Sequence, residues 1–69
     1  MTTVSIDTTV KGGLPVIIEA EVFYDRLDAE YYIDEMTVFW ANGKRVTDTV
    51  HDSIPQNDWD RIEDEIMRA

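Results

Sequence analysis

His51 is the single histidine of the chain, and Asp48, Asp52 and Ser53 stand within three residues of it. Those types would supply a nucleophile, a base and an orienting carboxylate for acyl transfer. Triads work because their members converge from separate elements of the fold. These four residues share one short connection, so the expected role of His51 is that of a solvated loop side chain.

Carboxylates are the other chemical resource, fifteen Asp and Glu against six Lys and Arg. A calcium loop needs alternating oxygen ligands, a glycine for the sharp turn and a closing glutamate. The run Asp25-Arg26-Leu27-Asp28-Ala29-Glu30 has no such glycine and interposes an arginine, while Asp58 and Asp60 on a helix diverge. Paired carboxylates for glycoside hydrolysis need a substrate cleft, which 69 residues can hardly provide. Gly12-Gly13 lacks the Lys-Ser/Thr sequel and following helix of a phosphate loop. With no cysteine there is no thiolate nucleophile, no disulfide and no Cys-based zinc site. The expectation is a protein that is not an enzyme and holds neither metal nor cofactor.

The elements that would carry these residues follow from hydropathy periods. Residues 3 to 10 alternate, with Val4, Ile6, Thr8 and Val10 on one side, which predicts a half-buried strand. Lys11-Gly12-Gly13 supplies a tight turn. A second strand spans about Leu14 to Tyr24, its core face being Val16, Ile18, Ala20, Val22 and Tyr24. A polar loop over 25–30 leads to a third strand, Tyr31 to Ala41. Strict alternation puts Tyr32, Asp34, Met36, Val38 and Trp40 on the core side, and Tyr31, Ile33, Glu35, Thr37 and Phe39 on the other. Asn42-Gly43 is a strong hairpin signal and predicts a fourth strand over Lys44 to Val50. Ser53-Ile54-Pro55-Gln56 has capping-box spacing at the start of a helix from about Pro55 or Gln56 to Arg68, whose apolar stripe is Trp59, Ile62 and Ile66. The expected fold is therefore α+β: one domain over residues 1–69, an antiparallel β-meander of three to four strands with one C-terminal helix packed on one face. A chain this short should be stable by roughly 3–10 kcal/mol. The first residues show neither the positive region nor the apolar run of a signal peptide, and the absence of disulfides favours a reducing setting, so the expected location is the cytoplasm.

Charge and aromatic content narrow the expected job to binding. The formal net charge is −9. It gathers in two blocks: residues 14–35 hold seven acids and one Arg (net −6), and residues 52–69 hold six acids and two Arg (net −4). Direct contact with nucleic acid or an anionic membrane is disfavoured by such a surface, whereas a basic groove on another protein is complementary to it. Glu19 and Glu21, at i and i+2 on one strand face, are spaced about 6.7 Å apart, close to neighbouring phosphates of a nucleic-acid backbone. On the expected outer face Phe23, Tyr31 and Phe39, joined by Ile17 and Ile33, make an aromatic patch rimmed by Glu19, Glu21, Glu35 and Lys44. That is the anatomy of an interface, with apolar anchors inside a polar rim. The expected partner-binding residues are Glu19, Glu21, Phe23, Asp25, Asp28, Glu30, Tyr31, Asp34, Glu35 and Phe39. A homodimer closed sheet on sheet across the same face, in an accessory protein of structural or regulatory role, is the alternative.

The opening hairpin Lys11-Gly12-Gly13-Leu14-Pro15-Val16-Ile17-Ile18-Glu19-Ala20-Glu21-Val22, the Asn42-Gly43 turn and the closing Ile54-Pro55-Gln56-Asn57-Asp58-Trp59-Asp60-Arg61-Ile62-Glu63 segment give a layout that resembles the short acidic proteins of bacteriophages and other mobile elements. The resemblance is one of architecture and composition over most of the chain. It implies an inhibitor of a host nucleic-acid-handling or defence protein, of the anti-CRISPR or anti-restriction kind, acting by stoichiometric binding and in some cases by presenting charge as DNA does.

Overall fold

The computed structural model of the chain describes residues 2–68. Strands β1 (Thr2–Val10), β2 (Leu14–Asp25) and β3 (Glu30–Trp40) form an antiparallel sheet in the order β1-β2-β3. A short helix α1 (Asp48–Asp52) and a longer one, α2 (Gln56–Arg68), complete an α+β fold. The β1–β2 turn needs consecutive left-handed residues: Lys11 at φ 54°, Gly12 at 82° and Gly13 at 145°. Two glycines meet that need without a Cβ penalty, and the Gly13 N–H closes the turn onto the Val10 carbonyl at 3.2 Å.

One sheet face is apolar and α2 lies across it. Val10, Val16, Ile18, Ala20, Val22 and Val38 from the strands are buried with Val46, Ile54, Ile62 and Ile66. Trp40, Trp59, Met36, Ile33, Val4 and Ile6 pack around that cluster. Each fully buried aliphatic side chain stabilises by about 1.5–3 kcal/mol, which makes this face the main source of cohesion. Polar clamps fix where the helix starts. The Lys11 backbone N–H donates to Asp58 Oδ2 at 2.8 Å, and Lys11 Nζ donates to Ser53 Oγ at 2.9 Å. The Arg61 guanidinium donates to Thr8 Oγ1 at 2.9 Å and to the Thr9 carbonyl. Among the described residues, no helix is long and apolar enough to cross a membrane.

Three local expectations are corrected. The first concerns the fourth strand: Asn42-Gly43 does turn the chain, with Gly43 at φ 89° and its N–H on the Trp40 carbonyl at 2.8 Å. The return pairs only at the single bridge Phe39↔Arg45, with Val46 N–H on the Val38 carbonyl at 3.0 Å. Thr47 then caps α1, its hydroxyl accepting from Val50 N–H, so a helix starts where the strand was expected. Second, α2 begins at Gln56 as expected, but Ser53 does not cap it. Ser53 instead ends α1, donating its hydroxyl proton to the Val50 carbonyl at 2.7 Å. Third, His51 is not a solvated loop residue; it lies in α1, half-buried, with its ring 5.0 Å from that of Trp59.

A further correction reaches the aromatic residues. The β2–β3 register runs regularly from Val16↔Trp40 to Glu21↔Glu35, then jumps to Val22↔Ile33. Asp34 is the extra residue of a β-bulge, and beyond it every β3 side chain changes face. Ile33 and Tyr31 thus join the helix side, and Tyr32 joins the outer side, opposite to strict alternation. Tyr24, expected in the core, is 50% exposed. The cause is length: α2 spans about 20 Å and β2 about 40 Å, so the far end of the β2–β3 hairpin overhangs the helix.

Candidate functional site

The face away from α2 is built by the odd-numbered residues of β1 and β2 and their partners on β3. Along it run the pairs Ile17↔Phe39, Glu19↔Thr37, Glu21↔Glu35 and Phe23↔Tyr32. Glu19, Glu21 and Glu35 line a shallow depression of about 280 Å³ with Thr3 and Thr37. Glu21 and Glu35 are direct cross-strand neighbours, a like-charge pair that a sheet tolerates only at a cost. At one end of this acidic strip Phe23 and Tyr32 stack with ring centroids 5.4 Å apart; at the other sit Ile17 and Phe39, half-buried.

The hairpin tip extends the acidic strip. Asp25↔Glu30 is the last pair of the ladder. Asp25 Oδ1 accepts the Leu27 N–H at 2.8 Å, which shapes the turn, and Ala29 takes the left-handed conformation at φ 54°. Asp28 Oδ2 accepts the Tyr32 hydroxyl at 2.8 Å. That hydrogen bond, then partial burial, then the Glu30 carboxylate hold the Tyr32 phenol above its ordinary value of 10.0. Leu27 stands at the tip, 95% exposed.

Of the ten residues expected to meet a partner, the structure gathers Glu19, Glu21, Glu35, Phe23 and Phe39 on one face and places Asp25, Asp28 and Glu30 around the adjoining tip. Asp34 is exposed at the bulge. Tyr31 is displaced from the group. Its ring pairs with Tyr24 at 5.0 Å on the helix side, where both line a groove of about 540 Å³ with Val4, Val22, Ile66 and Met67. Tyr32 takes its place on the outer face. A sequence signal for this exchange exists: Asp34 interrupts an otherwise apolar row, and a bulge at that residue removes it from the core side.

Electrostatically the strip is uncompensated. Among the described residues every ion pair belongs to α2: Arg61–Asp58 at 3.5 Å, Arg61–Glu65 at 3.3 Å and Arg68–Asp64 at 3.1 Å. None of the seven acids in 14–35 is paired with a basic side chain among them. Ser53, the hydroxyl beside His51 and Asp52 in sequence, donates its proton to the Val50 carbonyl. Among the described residues no three His, Cys, Asp or Glu side chains group as metal ligands would. No protein-family model, curated protein or solved structure matches this chain.

Proposed function

We propose that this chain is a non-enzymatic binding module whose acidic sheet face and hairpin tip dock on the basic, nucleic-acid-binding surface of another protein. The observation that carries the reading is the cluster Glu19, Glu21 and Glu35, three unpaired carboxylates on one concave strip between two apolar ends. Like charges placed side by side lower stability, and a basic partner turns that cost into attraction. The apolar pairs Phe23–Tyr32 and Ile17–Phe39 serve as anchors at either end of the strip. Sheet-on-sheet packing of two copies through this face is disfavoured, because it would set one glutamate cluster against another. The resemblance of the sequence layout to small acidic phage proteins supports, within this proposal, an inhibitor of a host nucleic-acid-handling or defence protein, which the strip would keep from its nucleic acid.

Affinity capture from a bacterial lysate tests this. The tagged chain should retain a nucleic-acid-binding protein that duplex DNA displaces and that the double variant Glu19→Lys, Glu21→Lys does not retain. Retention of the same proteins by that variant, undisturbed by DNA, refutes the electrostatic reading.

A further inference from the structure

We propose that β1 is a self-pairing edge, through which two copies of the chain join antiparallel over Thr3–Asp7, about a two-fold axis at Ser5, into one six-stranded sheet.

The direction of the backbone groups supplies the first argument. Thr9 pairs in register with Pro15, which has no N–H to give. Antiparallel ladders alternate between hydrogen-bonded and non-hydrogen-bonded pairs, so Thr9↔Pro15 is of the second kind. Asp7↔Ile17, Ser5↔Glu19 and Thr3↔Glu21 follow it in step. The N–H and C=O groups of Thr3, Ser5 and Asp7 therefore point away from β2, towards open solvent. The Thr9 carbonyl points the same way, and Arg61 takes it together with Thr8 Oγ1. Arg61 thus closes one end of the edge and leaves Thr3–Asp7 free.

Composition supplies the second. Edge strands are normally blunted by lysine, proline, bulges or inward charges. β1 has none of these: its sequence TTVSIDTTV holds seven β-branched residues and one charge, and its ladder with β2 is unbroken from Thr2↔Val22 to Val10↔Leu14. The opposite edge is defended on both halves. β3 carries Glu30, Asp34 and Glu35 around its bulge, and its Val38–Trp40 end is covered by the returning Lys44–Val46 segment.

Self-complementarity selects a second copy as the occupant. Pairing about Ser5 sets Thr3 against Asp7 of the other copy, so no two carboxylates face each other. About six new backbone hydrogen bonds form across such an interface. Val4 and Ile6, half-buried at the margin of the core, meet Ile6 and Val4 of the other copy and lose their remaining exposure. The strand itself is lightly charged: residues 1–13 hold only Asp7 and Lys11 as charges in a chain of net charge −9. The acids of α2, which packs against β1, come to the same side, so joining two chains there should strengthen as salt screens them. This inference is independent of the acidic face, which remains free on one side of the joined sheet.

Sedimentation equilibrium of the full chain over a concentration series, at low and high salt, tests the proposal together with amide hydrogen exchange. The mass should rise from 8.0 kDa towards twice that value, and more readily at high salt, where repulsion is screened. Protection should appear at the Thr3, Ser5 and Asp7 amides as concentration rises. Ser5→Pro removes an edge N–H that no intramolecular bond uses, and should lower the association constant about tenfold or more. Should Ser5→Pro not fold by circular dichroism, Thr3→Pro near the strand's start carries the same expectation. A mass of 8.0 kDa at every concentration overturns the proposal. So does a dimer whose association constant and amide protection are unchanged by both substitutions.

Discussion

Replacing Glu21 by glutamine should make this protein more stable. Glu21 is half-buried on the outer face and directly opposite Glu35, with Glu19 two residues away on the same side. Directly opposed side chains in a sheet have Cβ atoms about 5 Å apart, and two unit charges at that distance repel by about 0.8 kcal/mol even in bulk water. The carboxylates splay apart, so the recoverable part is roughly 0.5 kcal/mol. For a domain of this size that shifts the melting temperature by about 2–4 °C. Thermal unfolding followed by far-UV circular dichroism at low salt should show this rise, and Glu21→Lys should show a larger one. At 1 M salt the Debye length falls to about 3 Å and the advantage of Glu21→Gln should nearly vanish. A melting temperature that falls on neutralising Glu21, or a gain that salt leaves untouched, would show that the acidic strip is not under electrostatic strain. A basic partner would then have no repulsion in the strip to relieve.

Other expectations follow from the same structure. Ile62, fully buried on α2, should cost about 2–5 kcal/mol as alanine, against a total of roughly 3–10 kcal/mol, and urea unfolding should show the midpoint falling by a large fraction of its native value. Leu27→Ala, at a residue 95% exposed, should stay within about 0.5 kcal/mol of the native chain in the same assay. Gly12 at φ 82° should cost about 1 kcal/mol as alanine, because a Cβ is strained there although the space around it is open. The neutral Tyr32 hydroxyl donates to Asp28, so its phenol is held above 10.0 in the folded chain. Its stabilising contribution is complete below pH 10.0 and is lost as pH rises through the raised folded value. Phenolate absorbance, taken as the difference between the native chain and Tyr32→Phe, should develop above that pH, and Asp28→Ala should bring its midpoint down.

Much of this architecture is legible in the order of residues. Alternation in β1 and β2 is regular, the Lys11-Gly12-Gly13 turn announces itself, and Trp59, Ile62 and Ile66 mark the buried stripe of α2. The aromatic face was harder to read, because β3 carries aromatics at both parities and period-2 reasoning assumes an unbroken ladder. One extra residue at Asp34 exchanges Tyr31 for Tyr32 on the outer face and draws Ile33 to the core margin. The fourth strand failed on capping chemistry. Val46 and Val50 suit a strand, but Thr47 ahead of Asp48-Thr49-Val50 is an N-cap, and α1 forms in competition with further pairing. Ser53 shows the same ambiguity in reverse: its spacing to Gln56 fits a capping box, yet its hydroxyl closes the helix before it. The acidic cluster was half visible. Alternation puts Glu19, Glu21 and Glu35 on the outer face, while the direct pairing of Glu21 with Glu35 comes only from the β2–β3 register.

Recognition of a basic surface by the strip of Glu19, Glu21 and Glu35 should leave its mark on association kinetics. With the protein captured by the native chain purified, association rates would be measured from low to high salt for the native chain and for Glu19→Gln, Glu21→Gln, Glu35→Gln combined. The rate should fall steeply with salt for the native chain and show a lower, flatter dependence for the triple variant. Equal rates with equal salt dependence for the two would contradict recognition by the strip.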